Sequence, residues 1–373
     1  MAGNSSLRKA KQEQNGEFYT QLEDIEKELC NYTQYFNGKT VFCNCDDPYE
    51  SNFFYYFATR FNDLKLKKLI CTCYDGSPMA YTQLAFFDGA EKIIERKDRK
   101  AYKIVITEVK DENNDGAVDI ADVEYLLRNK KNVLTKLNGN GDFRSEECVA
   151  LLKEADIVVT NPPFALFREY VAQLVEHEKK FLIIGNVNAL TYKDIFKLIK
   201  DNRLWIGQSI HSGDREFRVP ASYPLEAAGC RIDEYGIKYI RVKGVRWFTN
   251  LDYRERHENF ISVKSYNAEE YRRYFNFNAI NIDKTIDIPE DYFEEMGVPI
   301  TFLDKYNPEQ FDIIGLGISS SGLEIGVRPY LFEHKKYRKE IQHKGAVDGD
   351  LYMLDKDGHP DVPYARIIIK RKR

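Results

Sequence analysis

The chain has 373 residues, of which 43% are hydrophobic and 31% charged, and its formal net charge is −4. This composition excludes a disordered chain, and the length is typical of two domains. The small negative charge argues against a protein that coats nucleic acid nonspecifically, because phosphate neutralisation drives such binding. No apolar run approaches the roughly 20 residues of a membrane span, and no signal peptide is evident, so we expect a cytoplasmic protein with no membrane partner.

Short apolar runs alternate with helical patterns along the first half of the chain. Residues 1–16 are predicted to be a flexible leader, and residues 20–36 carry apolar side chains at helical spacing. The elements predicted next are a strand at 40–45, a helix at 51–61, strands at 68–73 and 101–107, a helix at 146–154, a strand at 157–160, a helix at 166–176, a strand at 181–186 and a helix at 192–201. This alternation predicts an α/β fold with a doubly wound parallel sheet, whose ligands bind at the carboxyl ends of the strands.

The regular alternation is lost in the last third of the chain. Strand-like segments at 204–207 and 239–251 are followed by aromatic, charged and proline-containing segments. We therefore place a domain boundary near residue 255. Positive charge is concentrated beyond it, at His334–Lys339 and Arg366–Arg373, and a solvated tail and a binding surface are both open interpretations of the terminal run.

The most informative string is Asp156–Phe164, in which an apolar strand runs directly into Asn-Pro-Pro-Phe. The prolines Pro162 and Pro163 end the strand and fix the backbone of the turn. The N6 amine of adenine is a poor nucleophile because its lone pair is delocalised into the ring, so an enzyme must draw its hydrogens toward acceptors. The side-chain oxygen of Asn161 and the carbonyl of Pro162 are two such acceptors, and the ring of Phe164 offers a surface for stacking. The motif predicts methylation of a planar amine or amide nitrogen, and the alternative is a rigid turn without function.

With these residues the sequence resembles the amino-methyltransferases that carry a [DNS]-P-P-[YFW] motif, and among them the EcoRI-type adenine-specific DNA methyltransferases. The resemblance covers nearly the whole chain. The segments that carry it are Glu17–Thr20, Cys43–Pro48, Ser51–Phe54, Gly139–Ser145, Asn161–Tyr170, Phe181–Asn188, Trp247–Leu251 and Met296–Phe302. It implies a Rossmann-like S-adenosylmethionine-dependent methyltransferase domain at 17–255 and a C-terminal target-recognition region at 256–373.

The resemblance also implies which residues bind the cofactor. These are Phe18, Tyr19, Thr20, Asp46, Asp47, Pro48, Asp142 and Phe143. The first three would lie against the methionine part of S-adenosylmethionine, with aromatic packing of an N-terminal arm as the alternative. The Asp-Asp-Pro loop would hold the amino-acid end of the cofactor, although Tyr49–Asn52 stands where related enzymes have Gly-x-Gly. Asp142 and Phe143 would meet the adenine of the cofactor.

By resemblance, the reaction is methyl transfer to N6 of an adenine flipped out of duplex DNA, with Asn161, Pro162, Pro163 and Phe164 as catalytic residues. The implied role is the modification enzyme of a restriction-modification system, paired in function with a restriction endonuclease. A recognition site of GAATTC would follow from the resemblance alone. RNA and a protein glutamine nitrogen remain alternative acceptors.

A separate pattern lies in an insertion predicted near residues 108–132. Segment Asp111–Asp122 has oxygen-bearing side chains at positions 1, 3, 5, 9 and 12 and a glycine at position 6, which is the spacing of an EF-hand calcium loop. The candidate Ca²⁺ ligands are Asp111, Asn113, Asp115, Asp119 and Asp122. The last is aspartate instead of glutamate, which resembles dockerin repeats. The alternatives are a solvated turn rich in Asp and Asn or, for the whole chain, a calcium-stabilised binding protein that has lost methyltransferase activity.

Overall fold

Two units make up the chain in a computed structural model, which describes residues 18–45, 51–73, 101–129, 134–211, 213–219 and 229–373. The first unit comprises residues 1–189 and 207–252, and the second comprises residues 190–206 and 253–373. No helix within the described ranges is both long enough and apolar enough to cross a membrane.

The helices and strands are numbered here in chain order. The strands are β1 (Thr40–Cys43), β2 (Lys68–Thr72), β3 (Tyr102–Ile106), β4 (Leu134–Lys136), β5 (Ile157–Thr160), β6 (Lys180–Asn186), β7 (Trp205–Ile206), β8 (Asp214–Val219), β9 (Arg231–Ile232), β10 (Lys238–Lys243), β11 (Val245–Thr249), β12 (Ile280–Asn281), β13 (Glu295–Pro299), β14 (Phe311–Leu316), β15 (Met353–Leu354), β16 (Pro360–Asp361) and β17 (Arg366–Arg371). The α-helices are α1 (Leu22–Leu29), α2 (Asn52–Thr59), α3 (Ile120–Asn129), α4 (Glu146–Glu154), α5 (Phe167–Glu176), α6 (Lys193–Lys200), α7 (Ser319–Glu324) and α8 (Phe332–Glu340). Short 3-10 helices lie at Cys30–Tyr35, Phe164–Leu166, Val187–Thr191, Arg254–His257, Thr285–Asp287 and Ile300–Lys305. The strands and helices predicted between residues 20 and 201 are confirmed, most with bounds shifted by one or two residues.

A mixed β-sheet forms the centre of the first unit, with its strands in the order β4-β3-β2-β1-β5-β6-β11. Strands β2, β1, β5 and β6 are parallel, as predicted for an α/β fold. Strands β3, β4 and β11 are antiparallel to their neighbours, so the doubly wound prediction holds for the central strands and not for the edges.

Asp156 fixes the register between β1 and β5. Its Oδ2 accepts from the backbone N–H of Thr40 at 2.8 Å, and its own N–H donates to the Thr40 carbonyl at 2.9 Å. All residues of both strands are buried, which explains their uninterrupted apolar sequences. The two strands therefore start level and end at the same edge of the sheet.

The segment 239–251, predicted as one strand, is divided at Gly244. This glycine has φ +70°, and a Cβ there would lie 2.7 Å from Cγ1 of Val187. Before it, β10 pairs with β8 and β9 in a separate three-stranded sheet, and after it β11 pairs with β6. The left-handed conformation, which glycine adopts without steric cost, allows the chain to pass from one sheet to the other.

The second unit is built on a four-stranded sheet in the order β12-β13-β17-β14. Ile367, Ile368 and Ile369 of the central strand β17 are fully buried. Arg366 is 7% exposed, and its guanidinium donates to Asn281 Oδ1 at 3.1 Å and to the Tyr364 carbonyl at 2.9 Å. The terminal basic run therefore begins as a sheet strand, which excludes a solvated tail for Arg366–Arg371.

Glu28 is a buried carboxylate on α1. Its Oε1 accepts from the Tyr32 hydroxyl at 2.9 Å and from the Gln208 N–H at 2.9 Å, and its Oε2 accepts from the Ser209 N–H at 2.7 Å. A Cβ at Gly207 would lie 2.2 Å from Oε1, so the backbone can approach the carboxylate only because residue 207 is glycine. Burial raises the pKa of Glu28 above its ordinary value, and the hydrogen bonds oppose this effect.

We predict a pH-dependent contribution of Glu28 to the stability of the first unit. A raised folded-state pKa means that the folded state binds the proton more tightly. The stabilisation that comes from protonated Glu28 is therefore fully present below the ordinary glutamate pKa of about 4.3, and it is lost as the pH rises through the folded-state pKa. The free energy of unfolding of the wild type, minus that of Glu28→Gln, should fall over this range.

The measurement is urea unfolding across pH in a Trp205→Phe background. The chain has two tryptophans, so the fluorescence then reports on Trp247 of β11 in the first unit. A difference that stays constant between acid and neutral pH would contradict the prediction.

Candidate active site

The Asn-Pro-Pro-Phe turn lies directly after β5. Asn161 and Pro162 are buried, and Phe164 opens the 3-10 helix that leads into α5. The carbonyl of Pro163 accepts from the N–H of Leu166 at 2.9 Å. The turn is therefore held between a buried strand and a helix, as the sequence predicts, and the prolines restrict the backbone between them.

Asn161 uses only one end of its amide. The side chain is 6% exposed, and its Nδ2 donates to the carbonyl oxygen of Phe18 at 2.5 Å. Because a carbonyl only accepts, the amide must present its nitrogen to Phe18. Its Oδ1 is buried and has no partner among the residues that the structure describes. An unpaired buried acceptor costs about 1–3 kcal/mol, so Asn161 holds a costly acceptor available for a ligand N–H.

Three phenylalanine rings pack against one another, and two of them belong to Phe18 and to the Asn-Pro-Pro-Phe turn. Phe18 packs against Phe164 with ring centroids 6.0 Å apart and against Phe217 of β8 at 5.9 Å, and Phe164 and Phe217 are 6.4 Å apart. The backbone of Tyr19 also pairs with Arg218 through two hydrogen bonds of 2.9 and 3.1 Å. The segment that precedes α1 is therefore attached to β8 by its main chain and by its rings.

A second buried amide, Asn44, connects β1 to β5 and α5. Its carbonyl accepts from the Thr160 hydroxyl, and its Oδ1 accepts from the Tyr170 hydroxyl. The Tyr170 ring meets that of Phe143 edge to face, with centroids 5.0 Å apart. These contacts bring the ends of β1 and β5 together with the Asp142-Phe143 segment, as expected for the carboxyl edge of a parallel sheet.

Asp142 is paired with Arg144. Its Oδ1 accepts from Nε and from the backbone N–H of Arg144, both at 2.9 Å, and its Oδ2 accepts from Nη2 at 2.7 Å. These hydrogen bonds hold the pKa of Asp142 below its ordinary value, so the carboxylate is ionised near neutral pH. The carboxylate predicted to meet the cofactor adenine thus faces an arginine here, and Phe143 is buried against Tyr170. Their cofactor roles stay predictions.

The loop before Asp142 lies against the end of β2. Gly141 has φ +77°, and a Cβ there would lie 2.1 Å from the Cys73 carbonyl oxygen. Any side chain at this position would therefore force the loop away from the strand.

The other predicted cofactor residues differ in what the structure shows of them. Phe18, Tyr19 and Thr20 are buried. The Thr20 carbonyl accepts from Asn52 Nδ2 at 2.6 Å, whereas its buried Oγ1 has no partner within the described ranges. The remaining three, Asp46, Asp47 and Pro48, lie outside the described residues. The structure thus brings the segment 18–20 to Asn161.

The candidate calcium loop is not supported. Its oxygens accept backbone N–H groups of the loop itself: Asp111 from Asp115 and Gly116, Asn113 from Asp115, Asp115 from Ala117, Asp119 from Ala121, and Asp122 from Glu112, Asn113 and Asp119. In the described part of the chain no group of three or more His, Cys, Asp or Glu side chains is placed to hold a metal ion. Asp122 is buried at the start of α3, where its carboxylate caps backbone donors. The segment is an Asp- and Asn-rich turn that begins a helix.

Sequence reasoning assigned no role to three residues of this site. Asn44 was detectable as the polar residue that ends an apolar strand. Tyr170 lies on the buried face of α5 with Phe167 and Leu174, where its hydroxyl is the one polar group. Phe217 gave no signal, because β8 itself was not predicted.

The chain matches a family model described as adenine-specific methyltransferase EcoRI over residues 6–372. It belongs to this family. The type II methyltransferase M.EcoRI of Escherichia coli, to which the chain is similar, is 41% identical over 100% of this chain and 98% of that protein. The type II methyltransferases M.MpnI of Mycoplasma pneumoniae and M.MgeORF184P of Mycoplasma genitalium are 36% and 34% identical, over 82% of this chain and 84% of theirs. No solved structure matches the chain.

Membership in the EcoRI adenine-specific methyltransferase family confirms the predicted family, the enzymatic activity and the α/β methyltransferase fold. The rival interpretation, a calcium-stabilised binding protein without activity, has no support, because the described residues contain no group of metal-ligating side chains and the chain belongs to a methyltransferase family.

We predict that Gly141→Ala weakens S-adenosylmethionine binding roughly 5- to 150-fold, because the strained loop would displace Asp142 and Phe143, which are predicted to meet the cofactor adenine. The alanine Cβ would clash with the Cys73 carbonyl oxygen, and alanine would have to adopt the left-handed backbone conformation of Gly141. Backbone strain in this region costs about 1–3 kcal/mol. Gly139→Ala is the matched control, since a Cβ there meets nothing within 4 Å. Equilibrium binding of the cofactor to both variants is the measurement, and equal affinities would contradict the prediction.

We predict that Phe217→Ala slows methyl transfer per folded molecule, because loss of the ring loosens Phe18 and hence the Asn161 amide. Phe217→Leu, which retains most of the volume, should recover most of the rate. Phe36→Ala is the control for lost core volume, since Phe36 is fully buried against Phe57 of α2. Single-turnover rates and unfolding midpoints are measured together. A rate loss in Phe36→Ala equal to that in Phe217→Ala would leave Phe217 with a structural role only.

Proposed function

We propose that the chain transfers a methyl group from S-adenosylmethionine to N6 of an adenine flipped out of duplex DNA. The observation that carries this proposal is the buried Oδ1 of Asn161, which has no partner among the described residues, on a turn stiffened by two prolines. The family match supports adenine as the base that is methylated. The printed names of the relatives, type II methyltransferases, support DNA as the acceptor.

In the proposed mechanism Asn161 and Pro162 act on the two hydrogens of the amine. Asn161 Oδ1 accepts a hydrogen bond from one N6–H, and the Pro162 carbonyl accepts a hydrogen bond from the other. Both draw the amine toward a tetrahedral geometry, in which the lone pair leaves conjugation with the ring and becomes nucleophilic. Acceptors held in place before the reaction stabilise the charge that develops on nitrogen. Neither acceptor is a strong base, and none is needed to activate the amine. The methylated nitrogen carries a positive charge and loses one of its two hydrogens as a proton to solvent, which gives neutral N6-methyladenine.

Phe164 supplies the surface that holds the flipped base. Its ring is partly exposed at the start of the 3-10 helix, next to the buried rings of Phe18 and Phe217. Removing a base from the duplex stack costs a few kcal/mol, and stacking on an aromatic side chain offsets part of that cost.

The residues fit the cofactor. S-adenosylmethionine supplies the electrophilic methyl group when bound. Thr20 supports the fit, because its buried hydroxyl has no partner in the described part of the chain and can meet a polar group of the cofactor. Phe18 and Tyr19 would flank it, the Asp46-Asp47-Pro48 loop would face its ammonium group, and Asp142-Phe143 would contact its adenine.

The domain assignment accompanies this proposal. Residues 17–255 would bind the cofactor and the flipped base, and residues 256–373 would read the DNA site, in a cytoplasmic protein. The type II relatives support a functional partnership with a restriction endonuclease. A recognition sequence of GAATTC rests on resemblance to the EcoRI system.

We predict that Asn161→Ala lowers the methyl-transfer rate by a factor of at least about 10²–10³, the usual loss for one electrostatic contact in a transition state. Cofactor affinity should stay within about twofold, because Asn161 is assigned to the base. Asn161→Asp retains an acceptor but removes the donor to the Phe18 carbonyl. Its methyl-transfer rate should therefore lie between those of the wild type and Asn161→Ala. Asn31→Ala, which removes an amide bonded to carbonyls on α1, is the control and should retain the wild-type rate.

The assay is single-turnover transfer of labelled methyl groups to unmethylated duplex DNA, RNA and a protein extract, followed by mapping of the modified bases. N6-methyladenine at one short DNA motif is the expected product. If label appeared only in RNA or only in protein, that molecule and not DNA would be the methyl acceptor. A wild-type rate for Asn161→Ala would overturn the mechanism.

A further inference from the structure

Helix α8 is a basic helix with no buried residue. Its sequence, FEHKKYRKE, contains four Lys or Arg residues and two Glu residues. Most helices in proteins are held by an apolar face packed on a core, because short helices are marginal in isolation. Helix α8 is therefore held by something other than core burial.

One side of α8 is held by polar and aromatic contacts within the second unit. The contacts are Lys335 with Asp348 at 2.6 Å, Arg338 Nε with the Gly345 carbonyl at 2.6 Å, the His334 ring against Tyr352 at 5.6 Å, and the Tyr337 ring stacked on His359 at 3.9 Å. These contacts anchor the helix through positions 334, 335, 337 and 338.

The opposite side of α8 carries Phe332, Lys336 and Lys339, all of them exposed. At roughly 100° per residue, these positions fall within about 60° of one another on the helix. Phe332 is 80% exposed. Lys336 Nζ forms a long, exposed ion pair with Glu340 Oε2, 3.9 Å away and one turn along the helix. We call these three residues the free face of α8.

Other basic stretches that the sequence indicates in this region are engaged within the second unit. Arg366 donates to Asn281 and Tyr364, and Arg371 donates to the Pro289 carbonyl at 3.3 Å and lies over the Phe311 ring at 4.7 Å. Elsewhere, Arg272 pairs with Asp361 at 2.8 Å, and Arg273 donates to Asn278 at 3.0 Å. On the free face of α8, Lys336 makes an exposed 3.9 Å ion pair with Glu340, and Lys339 helps to lower the pKa of Asp348, but both lysines stay exposed to solvent. Much of the charge in the other stretches holds the fold.

We propose that the free face of α8 docks on duplex DNA, with Lys336 and Lys339 on backbone phosphates and Phe332 at base edges. This inference rests on the proposed function. Charge complementarity supports it, and an α-helix fits the width of the major groove. Residues near the N-terminal end of a recognition helix contact base edges, and an aromatic ring contacts a thymine methyl group. An interfacial membrane helix presents a broad apolar face, whereas this face has one apolar residue.

The first test is the salt dependence of DNA binding. Lys336→Ala/Lys339→Ala removes two phosphate contacts, so the slope of log K against log salt should fall in magnitude by about 2, with weaker binding to every sequence. Lys284→Ala/Lys305→Ala removes two exposed lysines elsewhere in the second unit and is the matched control, with the wild-type slope expected.

The second test is sequence discrimination. Phe332→Ala should reduce the preference for the site that the protein methylates over other DNA by up to roughly 5- to 150-fold, the range for one mismatched base pair in a site, and leave the salt slope unchanged. Tyr364→Ala, which also truncates an aromatic residue that is 81% exposed, should keep the wild-type preference.

The outcomes separate this inference from the proposed function. A wild-type protein that neither binds nor methylates DNA refutes the proposed function. A wild-type protein that does both, with an unchanged slope in the double lysine variant and unchanged discrimination in Phe332→Ala, refutes only the assignment to α8. If the lysine variant loses binding to phosphatidylserine vesicles and keeps binding to DNA, the free face of α8 faces a membrane, which also overturns the assignment.

Discussion

The hydrogen bond from Asn161 to the Phe18 carbonyl determines what the rest of the site can do. A side-chain amide can rotate by half a turn and exchange its donor and acceptor with little change in shape. The carbonyl of Phe18 accepts only a donor, so it selects the orientation that leaves Oδ1 unpaired. The chemistry proposed for the turn needs an acceptor at that atom. One backbone carbonyl in a segment before the first helix thus decides whether the motif is arranged to act on an amine.

The large sheet of the first unit places the partners of this bond. Asp156 aligns β1 and β5, so Asn44 and Asn161 follow strands that end at one edge. The Tyr170 hydroxyl then satisfies Asn44, which leaves Asn161 as the amide with an unused acceptor. Two asparagines at neighbouring strand ends therefore have different tasks, and the difference arises from their hydrogen-bond partners.

The sequence predicted the parts of the fold that depend on local pattern. Strands such as β5 are buried on both faces and appear as continuous apolar runs, and the Asn-Pro-Pro-Phe turn follows from its prolines. Strand β8 was missed because its sequence, DREFRV, is mostly charged, and with it the role of Phe217. Antiparallel pairing of β3 and β11 was missed because apolar periodicity does not encode strand direction.

Other parts of the site depend on long-range contacts that spacing does not reveal. The EF-hand pattern at Asp111–Asp122 reproduces the positions of calcium ligands, yet its oxygens accept backbone N–H groups of the same loop. The pairing of Asp142 with Arg144 likewise depends on a side-chain conformation that a sequence does not specify. The roles of individual cofactor residues therefore remain proposals, whereas the family and the reaction follow from similarity over the whole chain.

The attachment of Phe18 also has a consequence for dynamics. Phe18 and Asn161 are 143 residues apart in the chain. The buried segment 18–20 is attached by two main-chain hydrogen bonds between Tyr19 and β8, by the Asn52 hydrogen bond to the Thr20 carbonyl, by the Asn161 hydrogen bond to the Phe18 carbonyl and by ring contacts of Phe18. A segment that is not itself a strand of the large sheet can open locally at a lower free energy than the sheet. Release of this segment would free the Asn161 amide to rotate while the sheet stays intact. Catalytic competence can therefore be lost at temperatures or denaturant concentrations below those that unfold the protein, and amide hydrogen exchange at Tyr19 would report that loss before any spectroscopic sign of unfolding.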